Sequence, residues 1–242
     1  MTVDDSPVPT SERSRRTVRV EVWSDVVCPW CYIGKRRFAA GLEQAVDQLT
    51  AADVAVDFEV TYHPFQLDPT AAPGVAGPVI DAYAAKFGGL ERAEAIIANV
   101  SSTAAEVGLA FDMARALRAN TLLAHRLIWW AGQAWSPVAQ DDMKERLLRA
   151  YFVDGLHIGD PDVLADCAAE IGADRDRVAA FLASDDGVAE VEAELAHAHD
   201  SGITAVPTYV IDGRWAIPGA QEPATFAQVL TRMAMQDPTG NE

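Results

Sequence analysis

The chain has 242 residues, half of them apolar, and carries 19 Lys and Arg against 36 Asp and Glu, a net charge of −17. That length suits one large domain or a domain with an insertion, and the apolar share is enough for a sizeable core. A surface this acidic repels phosphate backbones and so argues against nucleic acid or an anionic membrane as partner, and no apolar run approaches the ~18 residues of a membrane-spanning helix.

Residues 1–17 are polar, rich in Pro and Ser, and lack the apolar middle of a secretory signal. They read as a disordered tail on a cytoplasmic protein. From Thr17 to Trp23, Val18, Val20 and Val22 alternate with Arg19 and Glu21, which predicts a strand. From Pro29 to Leu49, Cys31, Phe38, Leu42, Ala45 and Leu49 recur at helical spacing. Alternation returns from Val54 to Tyr62, and a right-handed crossover makes this second strand parallel to the first.

The segment from Asp68 to Pro78 is rich in Pro, Gly and Ala and reads as a loop or hinge. Between Pro64 and about Asp200 no strand pattern stands out. Helices are predicted over Pro78–Phe87, Glu91–Val107, Thr121–Gln133, Asp142–Phe152, Pro161–Ile171, Arg175–Ala183 and Gly187–Ala198. Asp160 is an N-cap with Pro161 in the first turn and Gly172 beyond the end. Thr208–Asp212 is a strand, Asp212-Gly213 a hairpin turn, Arg214–Ile217 the return strand, and Glu222–Met235 a last helix. The sum is α/β: residues 18–66 and 201–236 form one domain, and residues 67–200 are a large all-helical insertion.

Cys28-Pro29-Trp30-Cys31 stands between the first strand and the first helix, and the chain's third cysteine is Cys167. Three cysteines are too few for a disulfide scaffold, and a C-x-x-C pair beside a β-α-β pattern reads as a redox motif. A helix start offers unpaired N–H groups and a partial positive charge, which stabilise a thiolate. Lys35, about 10 Å along the helix axis, adds little at that range, and Asp25 opposes. Cys31 shares the inward stripe with Phe38 and Leu42; Cys28 is expected to be accessible. Cys28 is therefore the attacking sulfur and Cys31 the resolving one, with Trp30 an apolar flank for substrate. Zinc would need two further ligands, and no second pair has the spacing, so no metal is assigned.

Pro207 opens a strand, where a proline fits poorly. Either an ordinary trans turn proline or a cis Val206–Pro207 bond satisfies the sequence. His63 and Phe65, at the end of the second strand, are candidate substrate-binding residues or plain loop residues. His125 shares a helix face with Leu122 and Trp129 and is a groove or core histidine. Cys167 lies on an apolar face with Val163, Leu164 and Ile171 and reads as an inert core cysteine. His197 and His199, near the end of an acidic helix, receive no chemical role.

The layout resembles the thioredoxin-like fold of the DsbA-like group. Ser24–Arg36 (SDVVCPWCYIGKR) is similar to its cytosolic FrnE-type branch, as are Tyr62–Leu67, Ala124–Leu127, Ala150–Phe152, Gly202–Thr208 and Gly219–Gln221. The resemblance implies a cis Pro207 opposite the cysteine pair, where the backbone of Val206 pairs with an incoming chain. Some members of the branch carry a second cysteine pair near the C-terminus; here no cysteine follows Cys167. Kappa-class glutathione transferases and hydroxychromene carboxylate isomerases have Ser at the first motif position, so Cys28 favours disulfide chemistry.

The expectation is a cytoplasmic thiol–disulfide oxidoreductase, reductase or isomerase, acting on a protein or small-molecule disulfide. It needs no tightly bound cofactor, and no glycine-rich phosphate loop is present. A low-molecular-weight thiol is its co-substrate, or a thioredoxin system its reductant. Two other readings stand beside it: a thiol-cofactor-dependent isomerase or reductase of aromatic or polyketide-like compounds on the same fold, and a non-enzymatic holdase using a groove in the insertion.

Overall fold

The computed structural model describes residues 16–236 apart from Trp135 and Pro137. The tail assigned to residues 1–17 thus lies outside the described residues up to residue 15, while Arg16 and Thr17 already belong to the first strand, β1 (Arg16–Ser24). The helix α1 (Pro29–Ala51) and the strand β2 (Val56–Pro64) follow. The central block holds α2 (Val79–Phe87), α3 (Leu90–Glu106), α4 (Leu122–Ala131), α5 (Gln140–Phe152), α6 (Pro161–Glu170), α7 (Arg175–Ala183) and α8 (Val188–Asp200). The chain then returns as β5 (Thr208–Ile211), β6 (Trp215–Pro218) and α9 (Pro223–Met235).

One correction concerns the central block, which was read as free of strands. Two-residue strands β3 (Gly77–Pro78) and β4 (Leu117–Arg118) pair antiparallel within it. Two residues are too short for alternation to register.

The main sheet has the order β2-β1-β5-β6. β1 and β2 run parallel over their full length, from Arg16 beside Val56 to Ser24 beside Pro64. β5 is antiparallel to β1 and forms a hairpin with β6. Val18, Val20 and Val22 are buried on the face of β1 that the alternation predicted. They join Phe38 of α1, Phe226 and Leu230 of α9, and Leu127, Leu147 and Leu164 of the central block in one hydrophobic cluster.

α1 and α9 approach closely because residue 41 is glycine. A Cβ there would stand 2.6 Å from both the Phe226 Cβ and the Pro223 carbonyl oxygen. Polar groups fix the central block to the sheet. β2 is an edge strand, and the Gln140 side chain pairs with it as a strand would: Tyr62 N–H donates to Gln140 Oε1 (2.8 Å) and Gln140 Nε2 donates to the Tyr62 carbonyl (3.1 Å). Tyr32 Oη donates to Glu145 Oε1 at 2.6 Å and ties α1 to α5. The buried Arg126 guanidinium donates to the carbonyls of Phe181, Leu182, Ser184 and Asp186, satisfying the open end of α7.

Candidate active site

Cys28 is the N-cap of α1, in extended conformation (φ −87, ψ 113), and Pro29 occupies the first turn. The missing proline N–H costs nothing there. The chain turns sharply out of β1: Cys28 N–H donates to the Asp25 carbonyl (3.3 Å) and Cys31 N–H to the Cys28 carbonyl (3.0 Å). The two thiols are near enough that Cys28 acts on the protonation of Cys31. Burial, with the neighbouring Cys28 second, pushes the Cys31 thiol well above its ordinary range, while Lys144 and a backbone hydrogen bond from Asp25 pull it down.

Val206–Pro207 is a cis peptide bond. It brings the Val206 carbonyl oxygen to 3.6 Å from the Cys28 sulfur, which donates to it. Gly219 N–H donates to the Pro207 carbonyl at 2.7 Å and holds the segment to the end of β6. Gly34, on α1 behind the motif, makes the approach feasible. A Cβ at residue 34 would lie 3.0 Å from Pro207 Cγ and 2.8 Å from Tyr209 Oη.

Cys28 is not accessible in the sense expected from its place at the helix mouth. It is only 4% exposed, much like Cys31 at 3%. It lines a chamber of about 1270 Å³ between the start of α1, the helices α2 and α3, and the segment Thr204–Val206. The periodicity of α1 reports only which face meets the sheet; it is blind to the helices α2 and α3, which begin about fifty and sixty residues downstream and wall the space beside the motif.

Of the residues expected from the sequence to bind substrate, Trp30 and Val206 line this chamber. His63, Phe65 and His125 do not. His63 belongs to β2, stacks on Trp23 (ring centroids 4.5 Å apart) and sits between Glu194 (3.1 Å) and Glu21 (3.5 Å). It is committed to joining β1, β2 and α8. Phe65 contributes its backbone: its carbonyl lies 3.0 Å from His125 Nε2. His125 is buried, and the same nitrogen lies 3.2 Å from Asp25 Oδ1. The other Asp25 oxygen accepts from the Leu67 N–H at 2.8 Å.

Lys144 escaped the sequence reading. It is 1% exposed, its ammonium lies 5.9 Å from the centre of the Tyr62 ring, and the charges of Cys31, Asp25 and Cys28 act on it. Burial outweighs their attraction and pushes its amine down to about 8. The signal was present: Lys144 lies three, four and seven residues before Leu147, Leu148 and Tyr151, on the apolar stripe of α5. Lys35, expected to add little to the motif, is engaged elsewhere, with Asp141 (3.0 Å) and Glu145 (3.2 Å). Cys167 is 1% exposed, and burial pushes its thiol up to about 11. Among the described residues no three His, Cys, Asp or Glu side chains converge to hold a metal ion, and no helix is long and apolar enough to cross a membrane.

A mixed sheet flanked by α1 and α9, interrupted by a helical block, with a cysteine pair at the first helix start facing a cis-proline, defines a thioredoxin-like α/β protein of the oxidoreductase type. The sequence profile of the DSBA-like thioredoxin domain matches residues 19–231, and the chain belongs to that family. It is similar to the probable DsbA oxidoreductase SCO1869 of Streptomyces coelicolor, with 33% identity, coverage of 91% of this chain and 92% of that one, and a TM-score of 0.79. The uncharacterized protein YwbO of Bacillus subtilis is 28% identical over 217 residues, 89% of this chain and 96% of that protein. The cytosolic disulfide reductase DsbM of Pseudomonas aeruginosa, solved with GSH, shares the fold at 16% identity and a TM-score of 0.59, over 90% of this chain and all (100%) of that one.

Proposed function

We propose that this chain is a cytoplasmic thiol–disulfide oxidoreductase in which Cys28 is the attacking sulfur, Cys31 the resolving sulfur, and Val206–Pro207 the substrate rest. One observation carries the reading: a second thiol, one helical turn on, acts on the same site as Cys28, and the carbonyl before a cis-proline stands 3.6 Å from the Cys28 sulfur.

In the reducing direction the Cys28 thiolate attacks one sulfur of the substrate. A Cys28–substrate bond forms, the substrate disulfide breaks, and the far sulfur leaves with the electron pair. Cys31 then loses its proton and attacks Cys28 Sγ, closing the Cys28–Cys31 disulfide and releasing the second substrate thiol. Two electrons pass from the protein to the substrate. Burial makes the Cys31 proton hard to remove, so the resolving step is the one that needs help. Lys144, with an amine near 8, is the buried group suited to accept that proton or to stabilise the resulting thiolate. A low-molecular-weight thiol or a thioredoxin system restores the dithiol.

The test is thiol-driven reduction of bis(hydroxyethyl) disulfide, a small neutral substrate. Wild type should accelerate it, Cys28→Ser should abolish the acceleration, and Cys31→Ser should accumulate a mixed disulfide on Cys28 visible by mass. Full activity in Cys28→Ser would end the reading. The apolar chamber supports a second reading, an isomerase or reductase of small aromatic compounds that uses a thiol cofactor. It predicts turnover that survives Cys31→Ser.

A further inference from the structure

We propose, building on the disulfide reading above, that the chamber over Cys28 selects low-molecular-weight, uncharged aromatic disulfides and rejects anionic ones and those of folded proteins. Three observations converge on this.

The first is access. Cys28 is 4% exposed and lines a chamber of about 1270 Å³. A small disulfide can reach a sulfur buried in such a wall, whereas one fixed in a rigid protein surface meets the surrounding wall first; at about 1270 Å³ the chamber is roomier than the clefts of roughly 300–1,000 Å³ that hold drug-sized ligands. The second is the wall. Val79, Tyr83 and Phe87 of α2 and Ile96 and Val100 of α3 face the motif across the space, beside Trp30. Tyr83 is close enough to Cys28 that the sulfur's charge, after burial, helps push its phenol up to about 12. Aromatic rings stack on such walls in offset or edge geometry.

The third is charge. The charged wall residues are Asp68 and Asp81 against Lys86 and Arg118, which cancel. Arg118 is bound to Asp68 through both Nε and Nη2, and the Lys86 ammonium lies 5.7 Å from the centre of the Phe87 ring. The whole chain carries −17. Glutathione disulfide brings more carboxylates than ammonium groups, and no surplus of positive charge meets them here. The GSH in the DsbM structure is therefore no precedent for this chamber.

The experiment is single-turnover oxidation of the reduced protein by three disulfides: dithiodipyridine (neutral, aromatic), dithiobis(nitrobenzoate) (aromatic, two carboxylates) and oxidised glutathione. Each releases one thiol as Cys28 forms the mixed disulfide and a second as Cys31 resolves it. Each rate constant is divided by that of free mercaptoethanol with the same reagent, which removes intrinsic reactivity. The normalised preference for dithiodipyridine over dithiobis(nitrobenzoate) should be roughly tenfold or more at low salt and shrink as salt is raised. Asp81→Lys, at an exposed position on the rim, should narrow it. Phe87→Ala should slow dithiodipyridine several-fold more than it slows bis(hydroxyethyl) disulfide, so the ratio of the two rates should fall. A normalised preference at or below one overturns the inference, as does oxidised glutathione or insulin outpacing dithiodipyridine; the redox reading survives both results. If no disulfide oxidises Cys28, that reading falls and this one with it.

Discussion

His125 Nε2 lies 3.2 Å from Asp25 Oδ1 and 3.0 Å from the Phe65 carbonyl oxygen. A backbone carbonyl only accepts, so this nitrogen carries a hydrogen and donates it to Phe65, with the Asp25 oxygen beside it. The second Asp25 oxygen accepts from Leu67 N–H. A single buried carboxylate thus joins the end of β1, the segment after β2 and the helix α4, directly behind the cysteine pair.

Asp25→Asn keeps the shape but not the pattern. The amide has one acceptor for two buried donors, so its NH2 must face either the Leu67 N–H or the His125 ring N–H. The expected cost is about 1–3 kcal/mol, and more for Asp25→Ala, which strands both donors. Urea unfolding measures it as a lower midpoint at unchanged slope. An Asn variant as stable as wild type would mean that the carboxylate does not hold these segments together.

Lys144 gives a stability prediction with a definite sign. Its amine falls from an ordinary 10.5 to about 8 on folding. Between those values the unfolded chain holds a proton that the folded chain has lost, so this group's contribution rises with pH. Below about pH 8 it opposes folding in full, by roughly 3 kcal/mol. Lys144→Met should therefore be more stable than wild type near neutral pH, and the gap should close as pH climbs through 8 towards 10.5. The same change removes the cation that pulls the Cys31 thiol down, so the mixed disulfide on Cys28 should resolve roughly tenfold more slowly. A Met variant that loses stability, or resolves at the wild-type rate, contradicts this assignment.

Two glycines of α1 separate packing from chemistry. Gly41→Ala drives a methyl group into Phe226 and the Pro223 carbonyl; Gly34→Ala drives one into Pro207 and Tyr209. Each should cost about 1–3 kcal/mol through overpacking. Only the change at residue 34 presses on the segment that carries the Val206 carbonyl. Thermal unfolding should show both variants destabilised, whereas the rate of mixed-disulfide formation, measured well below either midpoint, should fall in Gly34→Ala alone. Equal loss of rate in both would place the effect in general destabilisation.

The parts of this protein that could be read from its sequence are those written in local periodicity. Val18, Val20 and Val22 gave β1 its face, and Cys31, Phe38, Leu42, Ala45 and Leu49 gave α1 its stripe; all are buried except Leu42, which is half-buried. The motif at residues 28–31 needed only its position at a helix start. What stayed hidden depends on contacts between distant segments. The chamber beside Cys28 is walled by α2 and α3, and nothing near residue 28 announces them. His63 was placed near the site because it ends β2, yet its ring turns to Trp23 and Glu194. The case of Lys144 differs: a cation on an apolar stripe is a visible conflict of pattern, and such conflicts mark buried charge.

The three thiols should differ sharply in reactivity, although all three are buried. Burial pushes Cys31 well above its ordinary range and Cys167 to about 11, so near neutral pH each is almost wholly protonated and a poor nucleophile. Cys28 alone lines the chamber. Iodoacetamide, small and neutral, should therefore label the reduced native protein once, at Cys28, and label all three cysteines in urea. Cys28→Ala should leave the native protein essentially unlabelled, because removing one thiol does not expose the other two. Peptide mapping by mass decides the matter: early label on Cys167 would mean that its helix opens readily, and label on Cys31 ahead of Cys28 would reverse the attacking and resolving roles.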